Sequence, residues 1–350
     1  MEEIEIFAHR GSGVTDIGPQ DAPDAKGDNL KNIPPENSFE AIEAAFKNGY
    51  SVEVDVTMTA DGRVIVTHTN DLSRHSPEAR KLYEETNKRC FVSEMTFDEI
   101  SRMQTGLGGR TAPFLTYEAF LELLERYPAV KANIEIKGTI QEEPLMAELQ
   151  NPSLIDQLVK LTPASLRNRI VWSSFANSNI VEMKKRLPDA EAAQLFAEPG
   201  RLMEKGGEDP VYPPPSKDRY VQFTKENLEK LGCGPEGIAA AHPCIDSLMT
   251  EEGSAAVQYC AEKHIAIRTW ALLEKDPGKD FPASLEAKQK ILQVVEFKKK
   301  YPSLKIDIIT DYPEAVEGLL LAADPRIVCS GKAHRTNGGE PKETSSFSLN

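Results

Sequence analysis

Short apolar runs rich in β-branched residues alternate with amphipathic helical stretches along most of this chain. A chain that repeats strand and helix in this way forms a parallel sheet covered by helices. We expect one α/β domain, a TIM (β/α)8 barrel over residues 1–322, because a single barrel routinely uses this length. Nine candidate strands compete for eight places, and 238–241 is the weakest of them. The candidates are 4–8, 51–56, 64–68, 133–137, 170–173, 192–196, 238–241, 265–270 and 306–310.

Three segments depart from the regular pattern. Residues 12–34 and 200–236 are rich in Gly, Pro and charged residues, and we interpret them as loop insertions at the barrel rim. Residues 323–350 are polar and aperiodic, which predicts a disordered C-terminal tail.

Apolar side chains recur at helical spacing between several of the strands. Phe39, Ile42 and Phe46 form one such stripe, which ends at Gly49. Asn37, followed three residues later by Glu40, has the spacing of a capping box at the start of this helix. Further helices are expected at 97–103, 117–127, 178–186 and 285–299.

The connection between the second and third candidate strands is too short for a helical crossover. Alternation along the second strand places Glu53 and Asp55 on one face. If Asp61-Gly62 forms a two-residue turn, the segment is a hairpin in which Asp55 lies opposite His68. Alternatively, an extended segment runs back along the barrel. Both geometries bring Asp55 and His68 to the same rim, whereas the plainer interpretation is an edge hairpin with a polar, solvent-facing side.

Charge and cysteine content exclude several classes of function. The net charge of −14 argues against nucleic acid and against docking on anionic membranes, so a phosphate-containing substrate would need local positive charge. The chain has five cysteines, an odd number, and no CxxC motif. This indicates reduced thiols and a cytoplasmic protein. We expect no transmembrane segment and find no signal-peptide pattern, although a secreted protein from which the signal was removed is the alternative.

Three carboxylates lie near the ends of two predicted strands. In a parallel α/β barrel, the reactive groups collect at the carboxyl ends of the strands. Glu53 and Asp55 lie near the end of one strand, and Glu135 lies near the end of another. Together they can hold one hard divalent cation, Mg2+ or Ca2+, through oxygen ligands.

Two histidines and two cations occupy further strand ends. His9 and His68 can act as acid and base, while Arg10 and Lys137 can neutralise phosphate oxygens. A single strand-end histidine is more often structural, but the joint occurrence favours cleavage of a phosphodiester. The remaining histidines have no such setting, and we expect structural or surface roles for His75, His242, His264 and His334.

Several short motifs follow one another along residues 6–315. They are His9-Arg10-Gly11, Pro35-Glu36-Asn37-Ser38, Glu53-Val54-Asp55-Val56, Asp61-Gly62 with Val64-Ile65-Val66 and His68, Leu72-Ser73-Arg74, Ile134-Glu135-Ile136-Lys137, Ser174-Phe175, Thr269-Trp270 and Ile308-Ile309-Thr310-Asp311-Tyr312-Pro313. Each motif is weak alone. As an ordered set, they resemble the glycerophosphodiester phosphodiesterase family.

The resemblance implies a TIM barrel that hydrolyses small glycerophosphodiesters to sn-glycerol 3-phosphate and an alcohol. It implies His9 and His68 as the acid–base pair. The neighbouring glycerol hydroxyl would attack phosphorus first, giving a cyclic phosphate that water opens. The other implied residues are the metal ligands Glu53, Asp55 and Glu135, the phosphate-binding Arg10 and Lys137, Glu36 in the metal or glycerol shell, and Trp270 as an aromatic wall.

The chain departs from the family pattern at Thr69, where the family usually has Asp, and Asp71 follows two residues later. This difference bears on how His68 is oriented. The long segments 12–34 and 200–236 would reshape the pocket mouth, which leaves the alcohol group open. Two other functions are a phosphodiesterase acting on lysophospholipids, which an apolar rim would favour, and a catalytically inactive barrel that binds phosphate-containing ligands.

Overall fold

Eight parallel strands close into a barrel, as the alternation of strands and helices predicted. The computed structural model describes residues 2–11, 34–68, 70–106, 110–137, 154–197, 221–235, 237–271 and 285–329. Each barrel strand pairs in parallel with the next, and the eighth pairs with the first. In chain order, the barrel strands are Ile6–His9, Ser51–Met58, Ala132–Ile136, Ile170–Ser174, Glu191–Leu195, Ala240–His242, Ala266–Ala271 and Ile306–Thr310.

The ninth candidate is a hairpin strand outside the barrel. Val64–Val66 runs antiparallel to the second barrel strand. The candidate 238–241 was judged the weakest, yet Ala240–His242 is a barrel strand. A strand in this region is therefore confirmed, and only its ranking as the weakest candidate was wrong, because a strand of three residues carries little periodicity.

The hairpin turn is one residue longer than predicted. The backbone N–H of Thr59 donates to the carbonyl of Arg63 at 2.9 Å, so three residues form the loop between them. Gly62 adopts φ +84°, the left-handed conformation that closes three-residue hairpin loops. The register therefore shifts by one residue, and the Asp55 carbonyl accepts from the N–H of Thr67 rather than facing His68.

Helices cover the outside of the barrel. The first begins after Ser38, whose hydroxyl accepts from the N–H of Ala41, so the predicted cap at Asn37 was wrong by one residue. The predicted helix 97–103 is shorter and ends at Ile100. The helices are Phe39–Lys47, Pro77–Thr86, Phe97–Ile100, Tyr117–Arg126, Leu154–Leu161, Asn177–Arg186, Lys225–Lys230, Glu251–Lys263, Leu285–Lys300 and Pro313–Ala323, with 3-10 turns at Leu72–Arg74, Val92–Glu94, Ala164–Arg169 and Ile245–Met249.

Short strands complete the described structure. Ile327–Cys329 pairs in parallel with Glu2–Ile4, so the predicted tail is folded at its beginning. This strand is too short to give a periodic signal. Residues 330–350, 12–33, 198–220 and Thr69 lie outside the described residues. The remaining strands are the pair Gln104–Thr105 and Ala112–Pro113, and Leu115–Thr116 beside the hairpin strand.

The two ends of the barrel interior carry different polar groups. At the amino-terminal end, charges pair with one another: Lys131 Nζ lies 2.7 Å from Glu5 Oε2, and Arg268 Nη2 lies 3.2 Å from Asp307 Oδ2. At the carboxyl end, three carboxylates cluster instead. Val52, Val54 and Val56 point away from the barrel axis and pack in the hydrophobic core between the strands and the helices. Alternation therefore turns Glu53 and Asp55 towards the barrel axis.

Two global features bear on the sequence-based expectations. Within the described residues, no helix combines the length and apolarity needed to cross a membrane. The five cysteines, all of which the structure describes, are buried and form no disulfide bond.

Replacing Gly11 with Ala should destabilise the barrel by at least about 2 kcal/mol. Gly11 has φ +79°, and an added Cβ would lie 2.7 Å from the backbone carbon of Ala41. Gly318→Ala is the matched control, because Gly318 is exposed in a helix with nothing within 4 Å of an added Cβ, and alanine there should stabilise by up to about 1 kcal/mol. Urea unfolding measures both changes, and equal midpoints would contradict the prediction.

Candidate active site

Three carboxylates converge at the carboxyl ends of the second and third barrel strands. Asp55 and Glu135 are neighbours in the strand register, and Glu53 lies two residues before Asp55. Glu53 and Asp55 are buried, and Glu135 is half-buried. Each of the three residues offers an oxygen within 4.8 Å of the others, so the group can hold a metal ion. The predicted ligand set is therefore brought together by the fold.

The carboxylate cluster carries more negative charge than its surroundings neutralise. Burial and the neighbouring Asp55 raise the pKa of Glu53 to about 8. Burial opposes the charge of Asp55 too, but Lys137 and Arg10 outweigh it and hold the pKa of Asp55 well below its ordinary value. Lys137 Nζ lies 2.9 Å from Asp55 Oδ1 and 2.7 Å from Glu135 Oε1. Such an all-oxygen, charge-rich group fits a hard divalent cation.

Any stabilisation by an added divalent cation such as Mg2+ should grow as pH rises from 6 towards 8. The folded-state pKa of Glu53, about 8, lies above its ordinary value of 4.5, so without a cation its ionisation costs stability across that range. A bound cation displaces this proton, and its apparent affinity should rise by up to about tenfold per pH unit below pH 8. Melting temperatures with Mg2+ and with chelator measure the effect. A Mg2+-induced shift that is independent of pH would contradict the prediction.

His9 ends the first barrel strand and is held from both sides. Its Nδ1 donates to Asp311 Oδ1 at 2.7 Å, and its Nε2 lies 3.8 Å from Glu53 Oε2. Burial and Arg10 lower the pKa of His9, but the carboxylates of Asp311 and Glu53 outweigh them and raise it above its ordinary value. Asp311 was not among the predicted site residues, although its position directly after the last barrel strand could have identified it.

Arg10 joins the carboxylate cluster to Glu36. Its Nη1 donates to both Glu36 oxygens, at 3.0 and 2.9 Å, and its Nε lies 3.3 Å from Asp55 Oδ2. Asn37 Nδ2 donates to the same Asp55 oxygen at 3.0 Å. Asn37, which was predicted to cap a helix, therefore contacts a candidate metal ligand instead. Its φ of 55° directs it away from the helix, which no local pattern revealed.

His68 follows the hairpin strand and lies beside Glu36 and His75. One ligand atom from each of the three residues lies within 4.8 Å of the others. Burial, with Arg10 and Lys137 nearby, holds the pKa of His68 well below its ordinary value, so its imidazole is neutral. His75 was expected to be structural or at the surface, but the structure places it in this group. No strand pattern indicated this placement, because His75 follows a 3-10 turn rather than a strand end.

Trp270 lies in the apolar part of the barrel mouth. Its Nε1 donates to the His242 carbonyl at 3.1 Å, and its ring meets Phe175 edge to face with centroids 6.5 Å apart. Phe7 and Leu195 belong to the same apolar cluster. The predicted aromatic wall is therefore buried among apolar side chains from several barrel strands.

The sequence of this chain matches one family of known proteins. Residues 9–230 match the Glycerophosphoryl diester phosphodiesterase family. A glycerophosphodiester phosphodiesterase from Bacillus altitudinis is 28% identical over 198 residues, which cover 55% of this chain and 66% of the relative. The chain thus spans slightly less than two thirds of the length of this curated relative.

Solved structures share the fold at lower sequence identity. The structure of a proposed glycerophosphoryl diester phosphodiesterase from Silicibacter pomeroyi matches with a TM-score of 0.61 and 19% identity, covering 92% of this chain and 94% of the other. A phosphodiesterase from Oleispira antarctica, solved in complex with the product sn-glycerol-3-phosphate, matches with a TM-score of 0.52 and 18% identity, covering 90% and 96%. By the family match over more than half of its length, this chain belongs to the glycerophosphoryl diester phosphodiesterase family.

Proposed function

We propose that the protein hydrolyses glycerophosphodiesters to sn-glycerol 3-phosphate and an alcohol, with one divalent cation. The observation that carries this proposal is the cluster of Glu53, Asp55 and Glu135 beside His9 and Arg10 at one barrel mouth. Family membership supports the reaction class. The product bound to the Oleispira antarctica structure indicates which phosphate-containing product to seek.

Glu53, Asp55 and Glu135 would hold the cation, and either Mg2+ or Ca2+ suits three oxygen ligands. When bound, such a cation neutralises charge that develops on phosphate oxygens. Lys137 lies against two of these carboxylates and can contribute a further positive charge to the phosphate. Arg10 can present its planar guanidinium, which Glu36 holds in a fixed orientation.

The two histidines differ in a way that suits opposite roles in the first step. The lowered pKa of His68 leaves its imidazole neutral, so it can accept the proton of the attacking glycerol hydroxyl. The raised pKa of His9 favours the protonated imidazole, which can donate to the oxygen of the leaving alcohol. In the second step the roles reverse: His9 takes a proton from water as water opens the cyclic phosphate, and His68 returns a proton to the glycerol oxygen. Asp311 keeps the Nε2 of His9 directed at the site.

An analogue of glycerophosphocholine without the neighbouring hydroxyl tests this route. Attack by a held hydroxyl depends on proximity, so 3-hydroxypropyl phosphocholine should react at least about a thousandfold more slowly than glycerophosphocholine. Choline release measures both reactions, and 31P NMR with the natural substrate should detect the cyclic phosphate before sn-glycerol 3-phosphate accumulates. Equal rates for the two substrates would overturn the cyclic route.

A further inference from the structure

A second group of potential metal ligands adjoins the carboxylate cluster. Glu36, His68 and His75 each offer one ligand atom, and all three atoms lie within 4.8 Å of one another. Glu36 and His75 are buried, while His68 is half-buried, and His75 Nδ1 lies 3.8 Å from Glu36 Oε1. The group shares no residue with the proposed Mg2+ or Ca2+ ligands.

Two of these ligands are fixed in place by contacts of their own. Glu36 is held by two hydrogen bonds from Arg10. The backbone N–H of His75 donates to the Leu72 carbonyl at 3.0 Å, and the His75 carbonyl accepts from the N–H of Gly106 at 2.7 Å. An ion binding here would therefore meet a carboxylate that is already oriented and a histidine whose backbone is anchored, which lowers the entropic cost of forming the site.

The donor atoms differ in kind between the two groups. Two imidazole nitrogens with one carboxylate oxygen suit zinc and similar transition-metal ions, whereas carboxylates alone suit Mg2+ or Ca2+. We propose that Glu36, His68 and His75 form a second cation site, selective for a zinc-class ion. The Arg10 guanidinium beside Glu36 repels a cation, so binding should be reversible and weaker than at a structural zinc site.

The site would regulate turnover because it includes His68. A metal ion on His68 occupies the nitrogen lone pair that proton transfer requires. We therefore expect a zinc-class ion to inhibit the reaction even when Mg2+ is saturating. This consequence rests on the proposed function, whereas the binding itself does not.

Binding is tested by titrating Co2+ into the full chain with saturating Mg2+ present. Cobalt on nitrogen ligands gives visible d–d absorption bands. His75→Asn should weaken Co2+ binding by at least about tenfold, because losing a ligand should cost no less than losing a residue that only orients one. His264→Asn is the matched control, since His264 is exposed at a helix end and should leave binding unchanged. Unchanged Co2+ affinity in a folded His75→Asn protein would overturn the site.

X-ray absorption of the zinc-loaded wild-type chain gives a test that needs no variant. Two imidazole nitrogens at about 2.0–2.1 Å from the zinc ion are expected, and a shell of oxygen atoms alone would overturn the proposal.

A kinetic experiment compares zinc inhibition of wild type with that of His75→Asn, each relative to its own rate with Mg2+. Resistance of His75→Asn by at least about tenfold is expected. Absence of turnover in every form would count against the proposed function, while the absorption measurements would still decide the site.

Discussion

Glu53→Gln should abolish cation-dependent turnover and leave the barrel folded. The substitution replaces one of three carboxylates that converge within 4.8 Å with a neutral amide, a weaker ligand for a divalent cation, and leaves the side-chain volume almost unchanged. A catalytic cation supplies several kcal/mol of charge stabilisation in the transition state, so we expect a loss of at least about a thousandfold in kcat/KM. The rate of sn-glycerol 3-phosphate release measures the loss.

The stability of this variant separates a metal ligand from a structural residue. Burial raises the pKa of Glu53 to about 8, so ionised Glu53 contributes unfavourably to folding when no cation is bound. Glu53→Gln should therefore melt no lower than wild type in the presence of chelator. Glu191→Gln is the control, because Glu191 begins the fifth barrel strand at the opposite end and should retain activity. Normal turnover by a folded Glu53→Gln protein would rule out the metal assignment.

His68→Asn and His9→Asn should each lower kcat by about 10^2–10^4-fold, the range for loss of a general acid or base. Neither histidine belongs to the carboxylate group, so the melting-temperature increase caused by Mg2+ should persist in both variants. His264→Asn again serves as the control for an exposed histidine. Should either variant change KM alone, that histidine would not be transferring a proton.

Strand periodicity was enough to place the central residues of the site. Alternation put Glu53 and Asp55 on one face, and the strand register brings Glu135 alongside Asp55. The carboxyl ends of parallel strands meet at one rim, so His9 could be placed there before any contact was known. These predictions succeeded because they depend on local alternation and on a general property of parallel barrels.

The missed features depend on contacts between distant segments. Asp311 binds His9 across 302 residues, and Asn37 binds Asp55 from a loop that no strand pattern reaches. His75 joins the site through a 3-10 turn, and the hairpin register shifted because Gly62 closes a three-residue loop. Asn37 and Gly62 adopt left-handed backbone conformations, while Asp311 and His75 act through long-range contacts. Hydrophobic periodicity reports neither kind of feature.

The first measurement to make is sn-glycerol 3-phosphate release from glycerophosphocholine and glycerophosphoethanolamine, with Mg2+ or Ca2+ and then with excess chelator. Release that either cation supports and chelator stops would confirm both the reaction class and the need for a cation. No release with either cation from a folded protein would contradict the proposed function. Lysophospholipids would be tried next, and failure there too would indicate a barrel that only binds phosphate-containing ligands.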